Sequence, residues 1–245
     1  MVVRKALSLD PNLAQPHAAL AYYLSAVAWN WAEADREFRR GIELDPKYAT
    51  AHHWYAYHLT SMGRLHEAMA ELLRAQELEP DSLIIATDVG QILFMDQQYA
   101  GAVVNYRKVL EREPNFAMAH LRLAEAYVQT DQFTAALDEL DKAKTLGVGI
   151  EGHLAYLNAR SGHRESAEKA IHDLAEQMRM GERHDPVSIA MACAALGQDD
   201  AAFKWLDEGY VRHDGEMALL LVDPRFEKLR SDPRFKELLK RMNLN

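Results

Sequence analysis

The sequence predicts an all-α solenoid of stacked helix hairpins, closed at its C-terminal end by short helices, and three observations carry that expectation. Prolines stand at 46, 80 and 114, each 34 residues apart, with Pro11 lying 35 before the first of them. Small residues recur at fixed offsets from those prolines, and large apolar residues recur at others. A period of this length marks a repeat architecture, in which each hairpin buries its open face only against its neighbours.

The elements follow in order. Residues 1–13 hold Val3, Ala6 and Pro11, which fit the tail of a second helix whose first half is absent, so the chain reads as beginning inside a repeat. Residues 14–150 carry four full repeats. Their first helices place Ala21, Ala56, Gly90 and Ala124 at one slot, with Leu24, Leu59, Leu93 and Tyr127 three residues further on. Their second helices open with Trp31, Leu65, Tyr99 and Phe133. Next come Ala34, Ala68, Ala102 and Ala136, then Phe38, Leu72, Tyr106 and Leu140, then Gly41, Ala75, Val109 and Ala143. Small side chains suit places where two helices approach closely, and large ones fill the gap between them.

Gly63, Asp96-Gln97-Gln98 and Asp131-Gln132 mark the turn inside three of the hairpins, and the first hairpin has one extra residue near Trp29-Asn30-Trp31. Each proline ends a helix, because the residue before it is pushed out of the α region. Residues 151–216 outline two looser copies: Leu154, Ala155, Gly162, Ala167 and Ile171, then Ile189, Ala190, Gly197, Ala202 and Leu206. In residues 217–245, Asp223-Pro-Arg-Phe226 and Asp232-Pro-Arg-Phe235 each set an Asp cap before a proline at the first helical position. These read as two short helices covering the last apolar face.

Composition narrows the function. With 49% apolar and 27% charged residues in a chain of 245, a sizeable core is available. The formal charge of -9 and the lack of a Lys/Arg cluster argue against direct nucleic-acid binding, which rests on clustered cations releasing counterions. Cys193 is the one cysteine, so no intramolecular disulfide forms, and with no apolar leader the chain reads as cytoplasmic. The longest mostly apolar run, Ala18 to Trp29, is shorter than the ~20 residues that cross a bilayer. No membrane association is expected.

Three motifs invite chemistry. Gly147-Val-Gly-Ile-Glu-Gly152 has the glycine spacing of a dinucleotide loop, yet that fingerprint follows a β-strand. Here Ala135 to Leu146 has helical spacing, so Gly147 reads as a helix stop, with Val148 in the slot that holds proline in three earlier copies. His52-His53 with His58 and His66 hint at a metal. His17, His52 and His120 belong to separate repeats, however, about 9–10 Å apart at closest helix packing and too far to share one ion at ~2 Å metal-nitrogen bonds. His66-Glu67 lacks the second histidine of the HExxH pattern. Cys193 sits in an apolar run and reads as a small buried hydrophobe, and there is no GxSxG. No catalytic residue, cofactor or metal is expected.

These slots resemble the tetratricopeptide repeat, whose pattern runs Trp-x-x-Leu-Gly-x-x-Tyr, then Ala-x-x-x-Phe, then Pro. The fourth copy reads His120-x-x-Leu123-Ala124-x-x-Tyr127, Ala136-x-x-x-Leu140, Val148. The resemblance implies a right-handed superhelix whose first helices form a concave wall that binds a peptide or a partner helix. On it the sequence places Thr50, His53, Tyr57 and Thr60, then Ile84, Thr87, Gln91 and Phe94, then Met118, Leu121, Glu125 and Val128. Tyr22, Trp54, Asp88, Arg122 and Gln129 border this wall. Aromatic rings among hydrogen-bonding groups suit an anchored polypeptide, although the same aromatics, Trp54 above all, equally suit packing between repeats.

Chaperone-binding members of the family grip a C-terminal carboxylate with a set of Lys, Arg and Asn. The matching stripe here offers one cation, Arg122, with Glu125 beside it. The segments Trp31-Ala-Glu-Ala-Asp-Arg-Glu-Phe-Arg-Arg, Ala51-His-His-Trp-Tyr-Ala-Tyr and Val222-Asp-Pro-Arg-Phe resemble C-terminal repeat regions of bacterial multi-domain signalling and transcription-regulator proteins. The expected function is a non-catalytic protein-interaction scaffold. The alternatives are a regulatory module that self-associates through the apolar N-terminal end at Val2, Val3 and Leu7, and a small-ligand sensor.

Overall fold

The computed structural model describes residues 2–181 and 185–244. Among the described residues, α1 (Val2–Leu9) is followed by six antiparallel helix pairs. They are α2 (Ala14–Ala26) with α3 (Trp31–Leu44), α4 (Ala49–Ser61) with α5 (Leu65–Leu78), and α6 (Leu83–Met95) with α7 (Tyr99–Arg112). The next three are α8 (Ala117–Gln129) with α9 (Phe133–Thr145), α10 (Glu151–Arg160) with α11 (Arg164–Arg179), and α12 (Pro186–Ala195) with α13 (Asp199–Arg212). Two 3₁₀ helices, Gly215–Leu219 and Pro224–Leu229, lead to α14 (Pro233–Arg241). Among the described residues there is no strand.

The repeated slots explain the stacking. Ala34, Ala68, Ala102, Ala136, Ala167 and Ala202 are all fully buried, and Phe38, Leu72, Tyr106, Leu140 and Leu206 fill the space beside them. Gly90 shows how tight the approach is, since a Cβ there would lie 2.4 Å from the Tyr106 ring. Every hairpin turns through one left-handed residue: Trp29, Gly63, Gln97, Asp131, Gly162 and Gly197. That conformation is free for glycine and strained for the others, Trp29 above all. Trp29 is held there by tilted ring contacts with Tyr210 and His213, at 5.2 and 4.7 Å between ring centroids. Gly147 is also left-handed and ends α9, so its glycine run lies between helices with no strand ahead of it.

Each first helix touches the next, from α2 through α4, α6, α8 and α10 to α12, and together they make one wall. Val3 and Leu7 of α1 are half-buried against the core of the first hairpins, while Leu9 is 79% exposed. The side chain of Val2, expected in the same apolar end, lies outside the described residues.

The C-terminal segment departs from the expected cap. α14 does lie beside α13, joined by Arg234–Asp200 at 2.7 Å and Arg241–Asp207 at 2.6 Å. The chain between them, however, returns to the first hairpins. His213 Nδ1 lies 3.0 Å from the Val27 carbonyl, and the Tyr57 hydroxyl donates to the Gly215 carbonyl at 3.3 Å. At the end, Trp31 Nε1 donates to the Met242 carbonyl at 2.7 Å and Asn243 to the Trp29 carbonyl at 3.3 Å. Met217, Leu220, Phe226, Phe235, Met242 and Leu244 are each buried to 2% exposure or less. Burial of these side chains drives the return, at roughly 1.5–3 kcal/mol for each large apolar group taken out of water.

Candidate functional site

Because each first helix turns one stripe toward the hollow side, residues one period apart meet across neighbouring hairpins. The outer part of this wall is aromatic and open. Tyr22 is 40% exposed, with its ring 4.9 Å from Trp54 and 6.3 Å from Tyr57. Trp54 is half-buried against the core of the first hairpins, so it serves packing as well as the surface. Behind this pair His53 Nε2 lies 2.6 Å from Asp88 Oδ2. Ile84 and Met118, one period apart on the first turns of α6 and α8, are 58% and 41% exposed.

The deep part is occupied by the chain's own residues 213–230. Tyr57 holds Gly215, and burial pushes its phenol well above the usual range. Leu219 meets His53, Tyr57, Asp88 and Gln91 around one small cavity. Phe94 lies under the Arg225 guanidinium, 5.8 Å from its ring centroid, and is itself buried. Glu125 accepts three bonds: from Arg122 at 2.9 Å, from Arg225 at 2.7 Å and from His153 at 3.1 Å. Burial alone would raise its pKa, yet Arg122 and Arg225 overrule that and hold the carboxyl well below its usual value. Arg225 in turn is forked by Asp223, through Nε at 2.9 and 3.0 Å and Nη2 at 2.6 Å. Burial lowers its affinity for the proton, but Asp223 and Glu125 raise it far more. Glu216, close to both arginines, is shifted upward by burial.

Several residues assigned to an open groove have inward roles instead; Thr60, Leu121 and Val128 are buried, with the Thr60 hydroxyl donating to the Ala56 carbonyl of its own helix at 2.8 Å. Thr87 is buried and its hydroxyl donates to the Leu83 carbonyl of its own helix at 2.7 Å. Gln129 points along the stack, donating to the Tyr156 hydroxyl at 2.9 Å and accepting from Arg160 at 3.0 Å. Phe94 and Glu125 are closed off by Arg225, as just described. Among the expected site residues that remain accessible are Tyr22, Trp54 and, more deeply, His53, Asp88, Gln91 and Arg122.

Sequence reasoning missed Arg225, Asp223, Glu216 and His153. The signal was present in the duplicated Asp-Pro-Arg-Phe. In both copies the Asp carboxylate caps the backbone N–H of the Arg at 2.9 Å and forks its guanidinium. In both, the free guanidinium nitrogen reaches an acid of the helix stack, Glu125 or Asp200, and the group lies over a phenylalanine ring, Phe94 or Phe203. The first copy is buried and the second is half-exposed.

Other chemistry is thin. No group of three or more His, Cys, Asp or Glu among the described residues is arranged to hold a metal ion. Burial pushes the Cys193 thiol up to about 11, the opposite of activation. No helix among the described residues is long and apolar enough to cross a membrane.

Two tetratricopeptide-repeat family models match the chain, one over residues 49–82 and one over 93–145. Among solved structures, pilF from Pseudomonas aeruginosa is similar at 22% identity, covering 81% of this chain and 86% of that one with a TM-score of 0.59. PilW, described as a widely conserved type IV pilus biogenesis factor, is similar at 18% identity over 85% of this chain and 97% of its own, TM-score 0.59. A tetratricopeptide repeat protein from Parabacteroides merdae matches at 15% identity over 95% and 99%, TM-score 0.55. At these identities the likeness concerns the fold, an all-α tetratricopeptide solenoid.

Proposed function

We propose that this tetratricopeptide solenoid is a non-catalytic protein-interaction scaffold, and that the aromatic rim at Tyr22 and Trp54 is where a partner peptide or helix docks. The observation that carries the reading is that the deep wall already grips a polypeptide, the chain's own residues 213–230, through Tyr57, Phe94 and Glu125. The rim continues this wall outward. It adds exposed Ile84 and Met118, with Asp88 and Arg122 behind them to orient a polar backbone. Aromatic anchors beside a few charged groups are the usual energetic centre of a protein interface. The pilF and PilW structures share this architecture, and PilW's description as a biogenesis factor fits a role in assembling other proteins.

The segments that resemble bacterial signalling and regulatory proteins support a setting in such a protein, acting in the cytoplasm without contacting nucleic acid itself. Self-association through α1 is the second reading, favoured by the exposed Leu9; light scattering at high concentration that shows only monomer dismisses it. The docking reading is tested by photocrosslinking in source cells, with benzoylphenylalanine replacing Tyr22 or, on a second-helix surface, Leu137. Adducts that form from position 22 and not from 137 are expected. Adducts equal at both positions, or confined to 137, contradict it.

A further inference from the structure

His17, His52 and His120 occupy equivalent places in the first turn and a half of α2, α4 and α8, and all three are buried. Each imidazole lies between two acceptors. Nδ1 faces a carboxylate on the second helix of its own hairpin: Glu37 at 2.6 Å, Glu71 at 2.6 Å and Glu139 at 2.5 Å. Nε2 faces the carbonyl of the proline that closes the preceding helix: Pro11 at 2.9 Å, Pro46 at 3.1 Å and Pro114 at 2.8 Å. A neutral imidazole has one N–H, so it serves one acceptor and turns a lone pair toward the other; the imidazolium donates to both. We propose that these three sites form a proton-operated clamp, in which protonation of His17, His52 and His120 locks each hairpin to the proline before it and deprotonation loosens the joint.

The third hairpin is a control built into the chain. One period after His52 stands Ala86, and one period after Glu71 stands Asn105, so both halves of the clamp are missing together. The joint at Pro80 therefore lacks it.

Charged groups pack around each ring. His17 meets Glu37. His52 meets Glu71, with Arg74 opposing from the same helix. His120 meets Glu139, whose other oxygen accepts from Lys142 at 2.7 Å, and Arg107, Glu111 and Asp141 line the same cleft. At His52 burial disfavours the charge, but Glu71 and the Pro46 carbonyl outweigh it and raise the pKa. The sign follows: a raised folded pKa gives stability that is complete below the unfolded value near 6.5 and is lost as pH rises through the folded value. Two other groups titrate lower. His58 is pushed down to about 4 and Asp214 is raised to about 6, both by burial, and since both are the same in the wild-type chain and the variant described next, their contributions cancel in a ratio of the two.

The test compares the wild-type chain with the variant carrying His17→Gln, His52→Gln and His120→Gln, in which an amide still serves one acceptor but does not titrate. Urea unfolding is measured at pH 6 and pH 8. The ratio of wild-type to variant folding constants is expected to fall from pH 6 to pH 8, because stability tied to a raised folded pKa at His52 is lost across that interval. A ratio that stays constant overturns the clamp. Should the variant fail to fold, amide exchange in the wild-type chain decides, after correction for the intrinsic pH dependence. Loss of protection from pH 6 to 8 is expected in the first turns of α4 and α8 and not of α6. A uniform response of all three, or none, overturns the proposal.

Discussion

Arg225 and Arg234 sit in the same four-residue frame, and burial separates their worth. Arg225 satisfies Asp223 and Glu125 in the interior, so Arg225→Ala strands two buried carboxylates and is expected to cost about 3–5 kcal/mol in urea unfolding. Arg234→Ala removes the matching contacts at the surface and is expected to leave the urea midpoint unchanged. The turn residues make a second comparison. Gln97 and Asp131 stand left-handed where Gly63 stands in the second hairpin, so Gln97→Gly and Asp131→Gly should each stabilise by about 0.5–1 kcal/mol. His58 gives the acid limb. It is buried among Trp31, Phe38 and Tyr55 with its Nδ1 3.0 Å from Ser25 Oγ, and its pKa is about 4. Stability from keeping it neutral is complete above the unfolded value near 6.5 and is lost as pH falls toward 4. The loss is about 3 kcal/mol, measurable as a pH-dependent melting temperature that flattens in His58→Phe.

Between helices, the Gly90–Tyr106 contact decides how closely α6 and α7 approach. Gly90→Ala places a methyl group against the ring and is expected to destabilise by roughly 1–3 kcal/mol, the usual range for overpacking. Adding Tyr106→Leu, the residue type that Leu72 and Leu140 supply at the same slot, should recover part of that loss; a double variant no better than the sum of the singles denies the coupling. Such pairs are why the hairpins were legible in the sequence: each slot is read by its immediate neighbours, and the 34-residue interval repeats the reading. The Asp caps at 223 and 232 were legible for the same reason, because a cap acts within three residues. The role of Arg225 was not, since its partners Glu125 and Phe94 are 100 residues away or more and no local period records them.

Across the whole molecule, the path of residues 213–244 depends on how far the stack has curved after six hairpins, a sum of small rotations that no single repeat encodes. That is why Phe94 and Glu125, read from the sequence as open, lie beneath the chain's own return. The central claim, that this concave wall binds polypeptide, is tested most directly by cutting the return segment free. A protease site in the turn after α13, where His213 and Gly215 are exposed, allows the folded full-length chain to be nicked. The fragment 215–245 is expected to co-elute with the solenoid, to exchange with a labelled synthetic copy, and to leave faster when it carries Arg225→Ala. A fragment that dissociates at once from a solenoid that stays folded, or that is held equally well with Ala at position 225, would contradict the account.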